Sequence, residues 1–155
     1  MDNRADNEGG GLWNAPADTL NVNNSTVTSN SAVTGGGIFN KGAGTLNVAN
    51  STVATNSASG TGGGVGTETG IVMIGNMIVA LNTGASANEV SGTFATQGYN
   101  LIGEADGSVG LTGGVSNDLV GSTATPHDPM VGPPQDNGGP TSPCPNERQP
   151  GDRPG

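Results

Sequence analysis

The chain has 155 residues, of which 31% are hydrophobic and 3% aromatic, so a large layered core is excluded. Its formal net charge of −9, from 13 acidic and four basic residues, excludes a basic surface for nucleic acid or anionic membranes. The single cysteine, Cys144, excludes an intramolecular disulfide and a cysteine-based zinc site.

The N-terminal residues lack the charged and apolar segments of a signal peptide. No apolar run in the chain approaches the roughly 18 residues that span a membrane. We therefore expect that this segment does not insert into a membrane, and that a longer parent protein carries any export signal.

A sequence repeat follows the N-terminus. Leu20–Ala32 and Leu46–Ala58 are identical at 10 of 13 positions, and Val72–Gly84 is a weaker third copy. The period of about 26 residues is typical of solenoids. Alternating β-branched residues between Gly and Asn favour short strands joined by tight turns. The repeat therefore predicts an all-β fold, a parallel β-helix (β-solenoid) with about 26 residues per coil.

Equivalent residues of successive coils should stack about 4.8 Å apart, the spacing of paired strands. Four apolar interior columns are expected, formed by Leu12, Ile38 and Val65; by Leu20, Leu46 and Val72; by Val22, Val48 and Ile74; and by Val27, Val53 and Val79. Two asparagine ladders are expected at the bends, one of Asn24, Asn50 and Asn76 and one of Asn30, Asn56 and Asn82. Such ladders satisfy buried amides, and we interpret them as structural.

Two stretches carry a resemblance to known families. The stretch "GGGIFNKGAGTLNVANSTVATNSA" resembles the repeats of bacterial secreted right-handed parallel β-helix proteins and is similar to those of polymorphic outer membrane proteins. Val90–Thr141, with GYNLIG (Gly98–Gly103) and the DP…GPxQDNGGPT run (Asp128–Thr141), resembles the C-terminal region of the choice-of-anchor Q type. The resemblance implies a right-handed coil and an extracellular or cell-surface location, reached through a longer parent protein. It also implies that the chain starts inside a repeat.

The predicted organisation follows the loss of regularity along the chain. Residues 1–84 are expected to form three regular coils, 85–125 less regular coils, and 126–141 a cap-like loop. Residues 142–155 belong to a proline-rich, irregular tail that we expect to be disordered. Its sequence departs from the closing segment of the resembled family, which indicates a shifted reading frame or a non-native end.

Candidate chemical groups are few, and none recurs with the repeat. Lys41 and His127 are the only basic side chains in the main body, and the neighbouring His127 and Asp128 lie in a proline-bracketed loop that favours solvation. The segments "GEADGS" (Gly103–Ser108) and "QDNGGPT" (Gln135–Thr141) offer oxygen ligands without the spacing of a calcium loop. We therefore predict no catalytic, cofactor or metal site, with Ca²⁺ as a minor alternative.

Two functional hypotheses remain. The first is a non-catalytic, extracellular structural or adhesive module whose long face contacts glycans or cell-surface components, with further β-helix coils of the parent as neighbours. The second is a fragment of a pectate-lyase-like enzyme that acts on polysaccharides.

Overall fold

The computed structural model describes residues 2–132, which form a β-solenoid of about four turns. The first two coils contain β1 (Leu12–Asn14), β2 (Thr19–Asn23), β3 (Thr26–Thr28), β4 (Ser31–Ala32), β5 (Ile38–Asn40), β6 (Thr45–Ala49), β7 (Thr52–Ala54) and β8 (Ser57–Ala58). The later coils contain β9 (Val65–Gly75), β10 (Ile78–Ala80), β11 (Val90–Thr96), β12 (Leu101–Ile102), β13 (Ser108–Val109) and β14 (Leu119–Val120). A short 3-10 helix at Val115–Asn117 precedes β14.

The strands pair in parallel between successive coils, as the repeat predicts. A seven-stranded sheet has the order β1-β5-β9-β11-β13, with β2 and β6 beside it. A five-stranded sheet has the order β3-β7-β10-β12-β14, and β4 pairs with β8 in a third sheet. Strand β9 runs through the position where the earlier coils turn, so it pairs with both β5 and β6.

The four predicted interior columns are confirmed by the strand register. Ile38 pairs with Leu12 and Val65, and the other three columns align in the same way. Ile38, Leu46, Val53 and their partners in the third coil are at most 1% exposed. The columns then continue beyond the recognisable repeat, through Val90, Phe94, Ile102 and Val120. A narrow stack of mainly aliphatic side chains therefore forms the hydrophobic core.

The coils shorten towards the C-terminus. Along one corner, Ser25 N donates to Ser51 Oγ, 26 residues later, at 3.0 Å. Met77 N donates to Asn100 Oδ1, 23 residues later, and Asn100 N donates to Asp118 Oδ1 after only 18 residues. This shortening explains why the sequence repeat fades although the stacking persists.

The triple glycines are required by two different constraints. Gly35 has a φ of +62°, which L side chains rarely adopt. A Cβ on Gly36 would overlap the carbonyl oxygen of Ser57 and that of Gly63 in the next coil. The glycines therefore turn the chain and let neighbouring coils approach at the same point.

The region from residue 126 to residue 132 has no strand, and the backbone N–H of His127 donates to the carbonyl of Gly103 at 2.9 Å. The predicted cap segment Gln135–Thr141 and the predicted tail with Cys144 lie outside the described residues. Within residues 2–132 there is no helix with the length and hydrophobicity needed to cross a membrane.

Candidate functional site

The inner ladder consists of Asn30, Asn56 and Asn82, each at most 5% exposed. Asn30 Nδ2 donates to Asn56 Oδ1 at 2.9 Å, and Asn56 Nδ2 donates to Asn82 Oδ1 at 2.9 Å. The backbone N–H groups of Asn30 and Asn56 donate to the same oxygens at 3.0 and 2.9 Å. Asn3 adds a further rung by donating to Asn30 Oδ1 at 3.0 Å. These amides bind neighbouring coils, which is a structural role.

A buried carboxyl group ends the inner ladder. Asn82 Nδ2 donates to Glu89 Oε2 at 2.6 Å, and Asn82 N donates to both carboxylate oxygens at 3.2 Å. Glu89 is 5% exposed, and its pKa is raised to about 7, chiefly by this burial. The bonds from Asn82 act in the opposite direction, and the charge of the neighbouring buried Glu104 contributes to the rise. Glu104 itself accepts a hydrogen bond from Asn88 Nδ2 at 3.0 Å.

The outer ladder differs from the prediction at its first rung. Asn76 Nδ2 donates to Asn50 Oδ1 at 2.7 Å, but Asn50 Nδ2 donates to Asn23 Oδ1 at 2.9 Å and not to Asn24. Asn24, Asn50 and Asn76 have φ of 49°, 51° and 53° and are exposed. Because the site is solvated, burial does not select between the two adjacent asparagines of the first coil.

A third, buried polar column was missed by sequence reasoning. Asn14 Nδ2 donates to Asn40 Oδ1 at 2.8 Å, and Asn40 Nδ2 contacts Thr67 Oγ1 at 3.3 Å. Asn40 Nδ2 also donates to the carbonyl of Gly44 at 2.7 Å, which holds the turn after β5. The recurrence of Asn14 and Asn40 at the period of the repeat was the available signal.

A second missed cluster holds the last coils together. Asn100 Nδ2 donates to Asp118 Oδ1 at 3.0 Å, and Thr96 Oγ1 donates to Asp118 Oδ2 at 2.6 Å. Asp118 is 1% exposed, so its carboxylate is a buried acceptor for these donors. The shortened spacing of these coils hid the cluster from an alignment at the period of the repeat.

The remaining candidate groups do not converge. Asp128 Oδ1 accepts a hydrogen bond from Met130 N at 2.8 Å, and the side chains of His127 and Asp128 are exposed. In the Gly103–Ser108 segment, Asp106 Oδ2 accepts from Thr123 N at 2.6 Å, which lowers the pKa of Asp106. This carboxylate therefore fixes a neighbouring loop.

An open groove crosses four coils at the corner between the seven-stranded and five-stranded sheets, and we call it the corner groove. Its exposed lining includes Tyr99 and its buried lining includes Met77 and Asn100. The lining contains amides, hydroxyls, aliphatic side chains and one aromatic ring, and it is uncharged. The lining residues are Asn50, Ser51, Thr52, Asn76, Met77, Ile78, Tyr99, Asn100, Leu101, Asn117 and Leu119.

In residues 2–132 no three His, Cys, Asp or Glu side chains are placed to share a metal ion. No family model, curated protein or solved structure matches the chain. Function must therefore be inferred from the polar columns, the corner groove and an ion-pair cluster.

That ion-pair cluster is centred on Lys41. Lys41 Nζ lies 2.7 Å from Glu8 Oε1 and 3.1 Å from Glu68 Oε1, and these side chains come from three successive coils. The hydrogen bond to Glu8, followed by the one to Glu68, raises the pKa of Lys41. The ammonium also lies 5.9 Å from the centroid of the Phe39 ring. Lys41 is consequently held in its protonated form, which cannot act as a general base.

We predict that Lys41→Met raises the pKa of Glu68 towards its ordinary value. The bond from Lys41 is the main cause of the lowered pKa, and the bond from the backbone N–H of Gly42 keeps part of the effect. A carboxyl carbon NMR titration measures the change. Asp106 is the internal control because its pKa is lowered by Thr123, far from Lys41 in sequence. An unchanged Glu68 titration would contradict the assigned ion pair.

Proposed function

We propose that the chain is a non-catalytic β-solenoid module of an extracellular or cell-surface protein, with a structural and adhesive role. In this role its long face contacts glycans or other surface components. The observation that carries the proposal is that the buried polar side chains hydrogen-bond neighbouring coils to one another. Asn56, for example, uses its amide to bond the coils on both sides. Such side chains stabilise the stacking of successive coils, which gives the solenoid a long, regular surface.

The charged groups support binding over catalysis. A pectate-lyase-like fragment would need an accessible base beside carboxylates that bind a cation. Lys41 is held protonated between Glu8 and Glu68, and Glu89 and Glu104 are buried inside the coil. The polar surface that remains accessible consists mainly of neutral amides and hydroxyls, which suit reversible contacts with hydroxylated ligands.

The location and the neighbours of the module are part of the same proposal. The resemblance of the repeats to those of secreted and outer-membrane β-helix proteins supports an extracellular or cell-surface position. Strands β1, β2 and β3 pair with the second coil on one side. Their other edge presents backbone donors and acceptors that further coils of a longer parent protein could satisfy.

Incubation with polysaccharides tests the proposal against the enzyme alternative. The purified chain is run through gels containing pectin, alginate or neutral glucans, with and without Ca²⁺, and each mixture is assayed for new reducing ends. We expect retarded migration in at least one gel and no new reducing ends, with heat-denatured protein as the control. Release of reducing ends above that control would overturn the non-catalytic assignment.

A further inference from the structure

In the GYNLIG segment, the fold explains Gly98, Asn100 and Ile102 but not Tyr99. Gly98 has a φ of +95°, and a Cβ there would lie 2.6 Å from the carbonyl of Ser116. Asn100 and Ile102 are each at most 1% exposed and serve the polar and apolar columns. Tyr99, in contrast, exposes 68% of its surface. Its ring therefore contributes little to the core.

Tyr99 also occupies a backbone conformation that does not suit it. The residues at this corner have positive φ in successive coils, and they are Asn24 (49°), Asn50 (51°), Asn76 (53°), Tyr99 (59°) and Asn117 (62°). Asparagine adopts this region readily, whereas a bulky residue there is strained. A strained, exposed aromatic side chain at a position where the fold favours asparagine points to a role in binding.

The surroundings of Tyr99 indicate the ligand. Asn76 lies one coil before Tyr99 and Asn117 one coil after it, and Asn76 is oriented by its 2.7 Å bond to Asn50. Ile78 and Leu119 add apolar surface to the same groove, and Leu119 is 54% exposed. An aromatic ring flanked by amides offers a stacking face and hydrogen-bonding groups for a hydroxylated ring.

We propose that the corner groove binds a neutral oligosaccharide, with a sugar ring stacked on Tyr99 and hydroxyl groups bonded to Asn76 and Asn117. The inference rests on the proposed surface-binding function and specifies its ligand class. The lining of the corner groove is uncharged, and the chain has a formal net charge of −9, which disfavours anionic polymers such as polyuronates. Four stacked coils span about 14 Å, a length that suits several linked sugars.

Tyr99→Asn separates binding from folding. The variant restores the residue that the column favours, so we expect it to melt no lower than the wild type. Its affinity for the neutral probe is expected to fall at least about tenfold, because the stacking surface is lost. The matched control is Leu81→Asn, since Leu81 also has a positive φ (63°) and is 47% exposed but lies outside the corner groove. Tyr99→Phe keeps the ring and should bind within a few-fold of the wild type.

Calorimetric titration with cellohexaose, mannohexaose and xylohexaose, and with hexagalacturonate as the anionic comparison, gives the readout. Binding of a neutral probe that is lost in Tyr99→Asn and kept in Leu81→Asn supports the inference. Equal binding by wild type and Tyr99→Asn overturns the corner groove as the site, while the proposed function stands. Preference for hexagalacturonate, or binding of none of the probes, overturns the ligand class. The proposed function fails separately, if reducing ends are released.

Discussion

Replacing Asn56 with alanine is expected to lower the free energy of unfolding by about 3 to 4 kcal/mol, a large part of a domain's typical stability. Asn56 Oδ1 accepts from the backbone and side-chain nitrogens of Asn30, at 3.0 and 2.9 Å. Its Nδ2 donates to Asn82 Oδ1 and to the carbonyls of Val27 and Ala54. Because the site is 1% exposed, water cannot replace these bonds. The N–H of Asn30 loses its acceptor, and Asn30 Nδ2 and Asn82 Oδ1 each lose one of their bonds.

Asn47→Ala is the matched control for this prediction. Asn47 lies on β6 in the same coil as Asn56, and its side chain makes one hydrogen bond, from Nδ2 to Asn21 Oδ1 at 2.7 Å. Asn47 Oδ1 is buried without a partner, because the next residue in this column is Met73. We expect Asn47→Ala to change stability by less than about 1 kcal/mol. Urea unfolding measures the free energy of unfolding of both variants. Equal losses of stability in the two would show that the inner ladder stabilises the fold no more than the single bond of Asn47 does.

The interior of the solenoid was predictable because two independent regularities coincide there. Alternation along "LNV" and "STV" selects the inward side chains, and the period of the repeat selects which of them stack. Both regularities depend on local geometry that every coil repeats. The confirmed register of Leu20, Leu46 and Val72 follows from them without knowledge of any distant contact.

The ends of the polar columns could not be predicted in this way. The inner ladder ends on Glu89, which lies only seven residues after Asn82, because the loop between them folds back and places a carboxyl group where the next amide would stand. Similarly, Asp118 lies under Asn100 after a coil of only 18 residues. A fixed period cannot find these partners, since loop length and not repetition determines where they lie.

The corner groove was only partly visible in the sequence. GYNLIG marks the segment, but its letters do not tell which side chains face inward. Asn100 and Tyr99 are adjacent, yet one is 1% exposed and the other 68%. Tyr99 shares its positive φ with the asparagines stacked at the same corner, and the shortened coil hides this equivalence from an alignment at the period of the repeat.

Glu89 is expected to make the protein less stable as the pH rises from about 4.5 to about 7. Its pKa is about 7 in the folded chain, against an ordinary value of 4.5. Between these values the folded chain retains a proton that the unfolded chain releases, so folding becomes less favourable with rising pH. The full cost above pH 7 is about 3 kcal/mol, and it is absent below the unfolded pKa. Urea unfolding at constant ionic strength across this range measures the slope.

Glu89→Gln should remove most of that slope and stabilise the chain at about pH 8 by up to about 3 kcal/mol. A glutamine oxygen can accept both bonds from Asn82, as Asn56 Oδ1 does from Asn30, without placing a charge near Glu104. Glu68→Gln makes the same change at an exposed carboxyl whose pKa is lowered, so its titration falls below this range. The free energy of unfolding of the Glu68 variant should therefore change with pH in the same way as that of the wild type above about pH 5. If the stability of the Glu89 variant also followed the wild-type pH dependence, the inner ladder would end on a carboxyl group that is ionised over the whole range. Its buried charge would then already be compensated.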